Sequence, residues 1–462
     1  MTGSLSLLWN LYQLKRNEKK SREQVRAMQD KKLRKLLRYA YRHSAYYRRI
    51  FDEIGITKAQ LGTLPLSAFP TMDKATLMAH FDEIVTDRKL KQRELRMFDE
   101  KSPIDEKLFM GKYHLVHSSG STGVPRYFVY DRKAWMQMLA GIVRGALWDM
   151  SILEIRRLLS GGLRILYIAA TDGRYGGAMA VGDGIHGVGA EQKFLDINTP
   201  LAEWVQCMQD FKPDIIIGYP SAIKILGGLV EKEQVKARVC RVICCGEPLA
   251  PGLRKYLEQT FQAAVVNFYG ASESLALGVE TNPADGMILF DDMNVIEVED
   301  GNMYLTCLYN FTQPLIRYRI SDKLVLKDET EKDGKSAGKY PFTKANILLS
   351  RDEDMLWFED GRGNQDFLHP LSVEGLCVEG LLDYQFRQTD RDAFEMLAQA
   401  ENKAARENIQ DSILQQMKKI LHEKNLDYVR FFVRFVEEIR PDAKTGKKLL
   451  ITGISGEMGD AV

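Results

Sequence analysis

The sequence predicts an α/β protein with a large N-terminal multi-layer α/β domain and a smaller α+β C-terminal domain. From about residue 112 to 320, short apolar runs bounded by Gly, Pro and Ser alternate with helical patterns, as in a domain built on a largely buried sheet. From about 350, a helical segment is followed by a single apolar strand. A chain of 462 residues is long enough for two or three folding units. We therefore expect one domain at 1–350 and a second at 351–462.

The composition excludes several classes of protein. The 64 Lys and Arg residues against 63 Asp and Glu leave a formal charge of +1, which argues against nucleic acid as a partner. An apolar fraction of 45% is ordinary for a globular protein and excludes intrinsic disorder. The 6 Cys residues are too few for a disulfide scaffold, which favours a cytoplasmic location. No apolar run approaches the roughly 18 residues of a membrane span, so we expect no integral membrane segment.

The region from 13 to 50 is rich in Lys and Arg and carries apolar residues at helical spacing. Leu33, Leu36, Leu37 and Ala40 fit one buried face of a helix. We favour the interpretation that the basic face is simply solvated. A basic amphipathic helix could also lie on an anionic membrane or bind an acidic partner.

The other elements follow from apolar runs and their periodicity. The predicted strands of the first domain are 163–170, 215–217, 239–245 and 264–268. Helices are predicted at 131–148 and 200–211, a β-rich meander at 291–327, and a charged surface loop at 328–339. In the second domain, we expect a helical segment at 391–424 and a strand at 428–436.

The strongest local signal is a run of hydroxyl and glycine residues that follows an apolar segment: Ser118, Ser119, Gly120, Ser121, Thr122 and Gly123. Glycines let a backbone approach a ligand closely, and amides and hydroxyls donate to phosphate oxygens. The run lacks the lysine of a Walker A loop. It is either a phosphate-binding loop or an ordinary Ser/Gly surface turn, and the two hydroxyls between its glycines favour phosphate.

Three charged residues at later positions suit the chemistry of a nucleotide. Glu273 follows the strand 264–268, where it could hold a magnesium ion, or Ser272 could cap a helix that begins there. Asp322 follows an alternating strand and could accept hydrogen bonds from ribose hydroxyls, although alone it is an ordinary turn residue. Lys447 lies in a basic turn, where an ammonium group could neutralise phosphate charge.

Together and in this order, the four signals resemble the motifs of the adenylate-forming superfamily of acyl-CoA synthetases, adenylation domains and luciferases, and most of all the phenylacetate–CoA ligase branch. The resemblance extends over essentially the whole chain. It implies that 118–126 binds the ATP phosphates, that Glu273 binds Mg²⁺, and that Lys447 is the catalytic lysine. It implies an adenine and ribose site formed by Gly246, Glu247, Pro248, Tyr269, Gly270, Ser272, Asp322 and Arg351. Glu353 takes the position of the hinge about which a mobile C-terminal domain rotates.

The resemblance also implies the reaction. A carboxylic acid, by family default an aryl or arylacetyl acid, reacts with ATP to give an acyl-adenylate, and the acyl group then passes to CoA or another thiol or amine. The residues 357–369 depart from the short loop of the CoA ligases, so adenylation is better supported than CoA as the acceptor. An adenylyltransferase or amide-forming ligase of cofactor or polysaccharide biosynthesis remains the alternative, and a non-catalytic nucleotide-binding scaffold is a third. The resemblance leaves a homodimer open.

Three further patterns carry less information. The GxGxxG match at 182–187 lacks a βαβ setting, and we interpret it as a Gly-rich loop. Cys240, Cys244 and Cys245 have no paired metal-ligand motif and are expected to pack in the interior. His114 and His117 would face opposite sides of a strand, so they are not expected to share a metal.

Overall fold

The computed structural model describes most of the chain. The described residues are 3–101, 108–117, 126–169, 179–180, 182–183, 190–196, 199, 201–299, 301–327, 340–351, 356–359, 365–368, 376, 378–423, 426–440 and 450–452. The expected surface loop at 328–339 lies outside them.

The N-terminal region forms three consecutive helices rather than the one helix expected over 13–50: α1 (Gly3–Asn17), α2 (Arg22–His43) and α3 (Ala45–Glu53). Ser21 begins α2 in a capping box with Gln24, and the Ser44 side chain accepts from the Tyr47 amide at the start of α3. These two serines offer the backbone a local partner, which ends one helix and starts the next. The predicted buried face is confirmed, because Leu33, Leu36, Leu37 and Ala40 are all buried.

Short elements connect this region to a small sheet. The helices are α4 (Lys74–Ala79), α5 (Phe81–Ile84) and α6 (Gln92–Lys101). The strands are β1 (Leu108–Phe109), β2 (Tyr113–His117) and β3 (Tyr127–Asp131), which pair antiparallel in chain order. The strands β2 and β3 therefore flank the predicted phosphate loop on both sides.

A nine-stranded sheet forms the centre of the molecule. Its first five strands are β4 (Arg164–Ala169), β5 (Glu191–Asp196), β6 (Ile215–Gly218), β7 (Arg241–Cys245) and β8 (Ala264–Ala271). Its other strands are β9 (Ser274–Glu280), β10 (Met287–Leu289), β14 (Asp322–Leu326) and β15 (Lys344–Arg351). The order is β14-β15-β10-β9-β8-β7-β6-β4-β5. The strands β5, β4, β6, β7 and β8, in sheet order, are parallel to one another. The remaining neighbours pair antiparallel.

The helices that accompany the sheet are α7 (Arg132–Ala146), α8 (Ile152–Ser160), α9 (Leu201–Phe211), α10 (Pro220–Glu231) and α11 (Pro251–Phe261). Asp131 caps α7 by accepting from the Ala134 amide, and proline stands in the first turn of α10 and α11. The predicted strands at 163–170, 215–217, 239–245 and 264–268 are confirmed as β4, β6, β7 and β8. The helices expected at 131–148 and 200–211 are also present.

The expected meander is confirmed by a separate antiparallel sheet and by β14. The sheet consists of β11 (Asn294–Glu299), β12 (Asn302–Cys307) and β13 (Tyr318–Ile320). Arg317, just before β13, bonds the backbone oxygens of Ser67 and Phe69, which ties this sheet to the N-terminal region.

The C-terminal part has its own sheet and core. Its elements are β16 (Leu356–Glu359), β17 (Gln365–Leu368), β18 (Leu381–Asp390), β19 (Ala393–Ala400), α12 (Arg406–Glu423), β20 (Arg430–Phe435) and β21 (Ile451–Thr452). The order of the four-stranded sheet is β20-β19-β18-β21. A hydrophobic cluster from Leu356 to Ile451 lies apart from the large core of the first part. The mixed α/β architecture with a smaller C-terminal unit agrees with the predicted fold class, and the boundary at 350/351 stays a prediction.

Two expectations for this part were wrong. Residues 393–400 form strand β19 rather than the start of the helix expected at 391–424, because they pair along their length with β18 and β20. The residues 357–369, expected as a long loop, include the hairpin strands β16 and β17, in which Leu356 pairs with Leu368. The partners of β19 lie outside the segment 391–424, so tertiary pairing overrides the local periodicity there. The strands β16 and β17 instead pair with each other.

Candidate functional site

The predicted site residues collect where neighbouring parallel strands end. The pairing of Ile217 with Ile243 and of Cys245 with Phe268 puts the carboxyl ends of β6, β7 and β8 at one edge of the sheet. Tyr219 follows β6, Gly246 follows β7, and Tyr269 lies at the end of β8. Open α/β sheets bind ligands outside this edge, so the topology places the candidate residues in a position suited to a ligand.

The segment after β7 requires a glycine at its first position. Gly246 has φ of +78°, and a Cβ there would lie 2.7 Å from Cε1 of Tyr219. A side chain would therefore be strained and would displace the Tyr219 ring. Gly246 is exposed and Pro248 is partly exposed, which leaves their backbone open to a planar ligand.

Glu247 connects two strand ends. Its buried carboxylate accepts hydrogen bonds from the Ser221 amide at 3.0 Å and from the Ser221 hydroxyl at 2.9 Å. Ser221 lies in the first turn of α10, where an amide needs an acceptor and a negative charge is favourable. The Glu247 side chain therefore holds the segment 246–248 against the start of α10, which is a positioning role within the predicted adenine site.

Tyr269 and Asp322 form the second part of the site. The Tyr269 hydroxyl donates to Oδ2 of Asp322 at 2.9 Å and also lies 3.5 Å from Sδ of Met303. Burial, with a smaller contribution from Asp322, raises the pKa of Tyr269 well above its usual value, so the hydroxyl keeps its proton and remains a donor. Asp322 starts β14, and the backbone of Arg351 lies opposite it. Three predicted ribose and adenine residues are thus brought together.

Glu273 lies in a tight hairpin turn. Ala271 pairs with Ser274 across β8 and β9, so Ser272 and Glu273 are the two turn residues, and the alternative in which Ser272 caps a helix is wrong. A Cβ on Gly270 would lie 2.4 Å from the Leu275 carbonyl oxygen, so the hairpin closes only with glycine there. The Tyr130 hydroxyl lies 2.9 Å from both the Ser272 and the Glu273 carbonyl oxygens. This contact fixes the backbone of the turn.

The Glu273 carboxylate is buried beside a cation. Glu273 is 6% exposed, and its Oε1 lies 3.5 Å from Nη1 of Arg126. The same Nη1 donates to the Tyr318 hydroxyl at 3.2 Å. Arg126 is the last residue of the predicted phosphate loop, so the end of that loop and the predicted magnesium ligand meet. The sequence had suggested Arg126 only as the last residue of the loop, and Tyr130 and Tyr318 were missed. Both tyrosines lie next to motifs that the sequence did single out.

Some predicted site residues cannot be placed. Glu353, Lys447 and the phosphate-loop residues 118–123 lie outside the described residues, as do most residues of the GxGxxG match. Arg351 is described by its backbone alone. Their assigned roles stay predictions.

The patterns that were set aside do not converge on a metal site. Nδ1 of His117 lies 3.0 Å from Asp99, whereas Nε2 of His114 lies 4.0 Å from Asp183, so the two histidines have different partners. Cys244 is buried, as expected, although Cys240, which precedes β7, is exposed. The described part of the chain holds no cluster of three or more His, Cys, Asp or Glu suited to a metal ion. In the same part, no helix has the length and apolar character needed to span a membrane.

Comparison with known proteins agrees with this geometry. The model of the AMP-binding enzyme family matches residues 66–290. A phenylacetate–coenzyme A ligase from Thermus thermophilus is 25% identical over 358 residues, which cover 72% of this chain and 72% of the relative. A phenylacetate–coenzyme A ligase from Aromatoleum evansii is 26% identical over 373 residues, with 73% of each chain covered.

A solved structure shows the same fold. The structure of a 2-hydroxyisobutyryl-CoA ligase in the postadenylation state superimposes with a TM-score of 0.65 and 20% identity, covering 91% of this chain and 87% of the ligase. The matched segment 66–290 contains Arg126, Gly246, Glu247, Tyr269 and Glu273. Residues 66–290 thus match the model of the AMP-binding enzymes, and the chain is similar to phenylacetate–coenzyme A ligases over 72–73% of its length.

Proposed function

We propose that the protein is an AMP-forming acid–CoA ligase. It joins a carboxylic acid to ATP, giving an acyl-adenylate and pyrophosphate, and then transfers the acyl group to the thiol of CoA. The observation that carries the proposal is the contact between Arg126 and Glu273 at the end of the predicted phosphate loop. This contact lies on the same sheet edge as the hydrogen-bonded pair of Tyr269 and Asp322. The phenylacetate–coenzyme A ligase relatives favour an aryl or arylacetyl acid.

The first step brings a carboxylate to a polyphosphate, so charge must be neutralised and geometry fixed. The acid is already ionised at neutral pH, and its attack needs no general base. Arg126 supplies a guanidinium at the end of 118–125, and its five donors suit phosphate oxygens. Its present partners, Glu273 and the Tyr318 hydroxyl, hold it at this end of the site.

Glu273 fits a magnesium ion carried by ATP. Mg²⁺ prefers oxygen ligands and is usually held by one or two carboxylates together with substrate phosphates. The Glu273 carboxylate is a buried oxygen donor balanced by a cation, and its backbone is fixed by Tyr130. When bound there, the ion would neutralise part of the triphosphate charge. The described residues offer Glu273 for this purpose, and the phosphates would supply the other oxygens.

The nucleoside would be held by the remaining residues. Asp322 accepts the Tyr269 hydrogen bond through Oδ2, and a carboxylate has further lone pairs for ribose hydroxyls. The segment 246–248 would flank adenine, with Glu247 holding it in place. Gly270 and Ser272 keep the hairpin in position, and Arg351 would contact the nucleotide from the strand opposite Asp322. Lys447 would bridge the carboxylate and the α-phosphate, and the C-terminal domain would rotate about Glu353 before transfer.

A closed orientation of the two parts is supported by one ion pair. Nζ of Lys224, on α10, lies 3.3 Å from Oδ2 of the buried Asp383 on β18, and it also contacts Gln399. The pair joins the two parts in this arrangement, but separation would return both charges to water, so it adds little net stability and substrate can change the balance. The second arrangement, needed for acyl transfer, would have to break it.

The proposed function is tested by acid-dependent ATP–pyrophosphate exchange. A panel of aryl, arylacetyl, fatty and amino acids is supplied with Mg²⁺, and the active acids are repeated with and without CoA. We expect exchange with aryl or arylacetyl acids and a thioester that forms only with CoA. Exchange without a thioester would indicate another acceptor, such as an amine. An AMP-bearing product detected by mass, with no dependence on an acid, would favour the adenylyltransferase alternative. An absence of exchange with every acid would contradict adenylation.

A further inference from the structure

Helix α1 has two apolar faces: among the described residues, one packs against the core and the other is exposed. Leu7 and Leu14 are each 1% exposed, and Leu11 packs against the same core. On the other side, large apolar side chains are about half exposed: Leu5 at 54%, Leu8 at 49%, Trp9 at 57% and Tyr12 at 54%. Their spacing of i, i+3, i+4 and i+7 puts these four residues, the outer stripe, along one line of the helix surface.

The outer stripe is followed by exposed basic residues at the C-terminal end of α1. Arg16 lies four residues after Tyr12 and is exposed, with its guanidinium carbon 5.9 Å from the Tyr12 ring. Lys19 is exposed in the turn that follows. The helix sequence GSLSLLWNLYQLKRN contains no acidic residue, and the next acid, Glu18, is mostly buried beside Lys15.

Contacts with the body of the protein fix the direction of this face. Nδ2 of Asn17 donates to Asp292 at 2.8 Å, and Nη1 of Arg144 lies 3.5 Å from the Leu14 carbonyl oxygen. Asp292 and Arg144 are fully buried and form a bidentate ion pair of 2.7 and 2.9 Å. The inner face of α1 is therefore joined to the core, and its outer stripe is presented at the surface rather than on a free tail.

We propose that the outer stripe binds the surface of an anionic lipid bilayer, with α1 lying in the plane of the interface. The leucines would enter the boundary between headgroups and acyl chains, and the Trp and Tyr rings suit the interfacial layer. Arg16 and Lys19 would stay at the level of the anionic headgroups, where each basic residue contributes to attraction. This surface lies on α1 and uses none of the residues assigned to the nucleotide.

The charges on α1 argue against a second copy of the chain as the molecule that covers the outer stripe. Two stripes packed on each other would bury the apolar residues, but neither helix would supply an acid for the partner's Arg16. A bilayer that contains phosphatidylglycerol supplies that negative charge. The apolar stripe and its basic end are therefore both matched by the lipid surface.

Vesicle sedimentation of the full chain tests the proposal. Vesicles of phosphatidylcholine alone are compared with vesicles that also contain phosphatidylglycerol. The wild type should sediment with the mixed vesicles and much less with the neutral ones. The double variant Leu8→Glu, Trp9→Glu should lower the bound fraction at least about fivefold, because two apolar contacts are lost and two like charges meet the surface. Arg16→Glu should weaken binding to the mixed vesicles alone.

A matched control separates this face from general surface apolarity. Leu153, on α8, is 66% exposed, and Leu153→Glu should leave the bound fraction unchanged. Circular dichroism and pyrophosphate exchange check that each variant keeps its fold and site. An unbound wild type, or a double variant that binds as well as the wild type, would overturn the proposal. So would sedimentation velocity showing a dimer that the double variant dissociates, without binding to vesicles.

Discussion

The Tyr269 hydroxyl and the Asp322 carboxylate are joined by a hydrogen bond of 2.9 Å, although β9, β10 and β15 separate their strands in the sheet order. The sheet therefore curves enough for the end of β8 to approach the start of β14. Burial keeps the Tyr269 hydroxyl protonated, so it donates to Asp322 and fixes one oxygen of the carboxylate. The other lone pairs of Asp322 are then oriented before a ribose arrives.

Tyr269→Phe should raise the KM for ATP about five- to tenfold with little change in kcat. The variant removes the donor to Asp322 and leaves the carboxylate itself in place, so we expect a loss of about 1 kcal/mol in ATP binding, less than the roughly 1.5–3 kcal/mol of a full hydrogen bond to a charged group. Initial rates of pyrophosphate exchange at varied ATP concentration measure the effect. Tyr256→Phe is the control, because it also loses a bond to a carboxylate, Glu231 at 3.0 Å, outside the site. An equal change in both variants would argue against a specific role for Tyr269.

Glu273→Gln should lower the maximal exchange rate on the order of 100-fold, the size seen when one preorganised electrostatic group is removed. The amide keeps the shape of the side chain but loses the charge that balances Arg126 and would bind Mg²⁺. The rate is measured across a magnesium titration, and the Mg²⁺ concentration for half-maximal rate should rise. Glu280→Gln is a matched control on the same hairpin, since Glu280 pairs with Arg254 at 2.7 Å. Unchanged magnesium dependence in Glu273→Gln would remove the metal role.

The contribution of Asp291 to the stability of the protein should fall as pH rises from about 4 to 6. Burial raises the pKa of Asp291 from 3.8 to about 6, against the opposing bond from the Thr343 amide. The folded state holds a proton that the unfolded state releases in this interval, so raising the pH favours unfolding. Relative to Asp291→Asn, the wild type should lose at most about 3 kcal/mol of unfolding free energy.

Urea unfolding of the wild type and Asp291→Asn at pH 4.5 and 7.5 measures this difference. The neighbouring Asp292 does not contribute, because Arg144 outweighs the effect of burial and holds the pKa of Asp292 below its ordinary value. The exposed Asp285→Asn serves as a control. If the difference in unfolding free energy between the wild type and Asp291→Asn does not change with pH, the raised pKa of Asp291 is contradicted.

Lys447→Ala should depress adenylate formation far more than transfer from preformed acyl-adenylate. In the proposed mechanism, the ammonium group touches the carboxylate and α-phosphate in the first step and leaves the site before the second. The two half-reactions are measured separately by pyrophosphate exchange and by thioester formation from synthetic acyl-adenylate. Lys448→Ala, at the adjacent lysine, should affect neither. Equal loss in both half-reactions would show that Lys447 does not act in one step alone.

The central sheet could be predicted because its inner parallel strands β4, β6 and β7 are almost entirely buried. The runs at 163–170, 215–217 and 264–268 are apolar without alternation, and buried parallel strands have this signature. The carboxyl-end positions of Gly246 and Tyr269 follow from the same topology. For these residues, sequence order already determines which edge of the sheet they share.

Other features depend on contacts between distant residues. The pairing of β18 with β19 joins residues whose local pattern is compatible with a helix, and the pairing alone decides the outcome. The hairpin turn that carries Glu273 is held by the Tyr130 hydroxyl, which lies outside the motif. Arg126 donates a hydrogen bond to the Tyr318 hydroxyl, and the two residues are separated by 192 positions in the sequence. No local periodicity encodes such a distance, and the placement of the predicted magnesium ligand was accessible only from the structure.

The central claim is that a carboxylate oxygen attacks the α-phosphate of ATP. The most direct measurement supplies the acid with the highest exchange rate, labelled with heavy oxygen (¹⁸O) in its carboxylate, together with ATP and CoA. Attack at phosphorus forms a bond between the labelled oxygen and the AMP moiety, and acyl transfer then leaves that oxygen on AMP. The account predicts AMP carrying one labelled oxygen by mass spectrometry. Thioester formation with unlabelled AMP would contradict it.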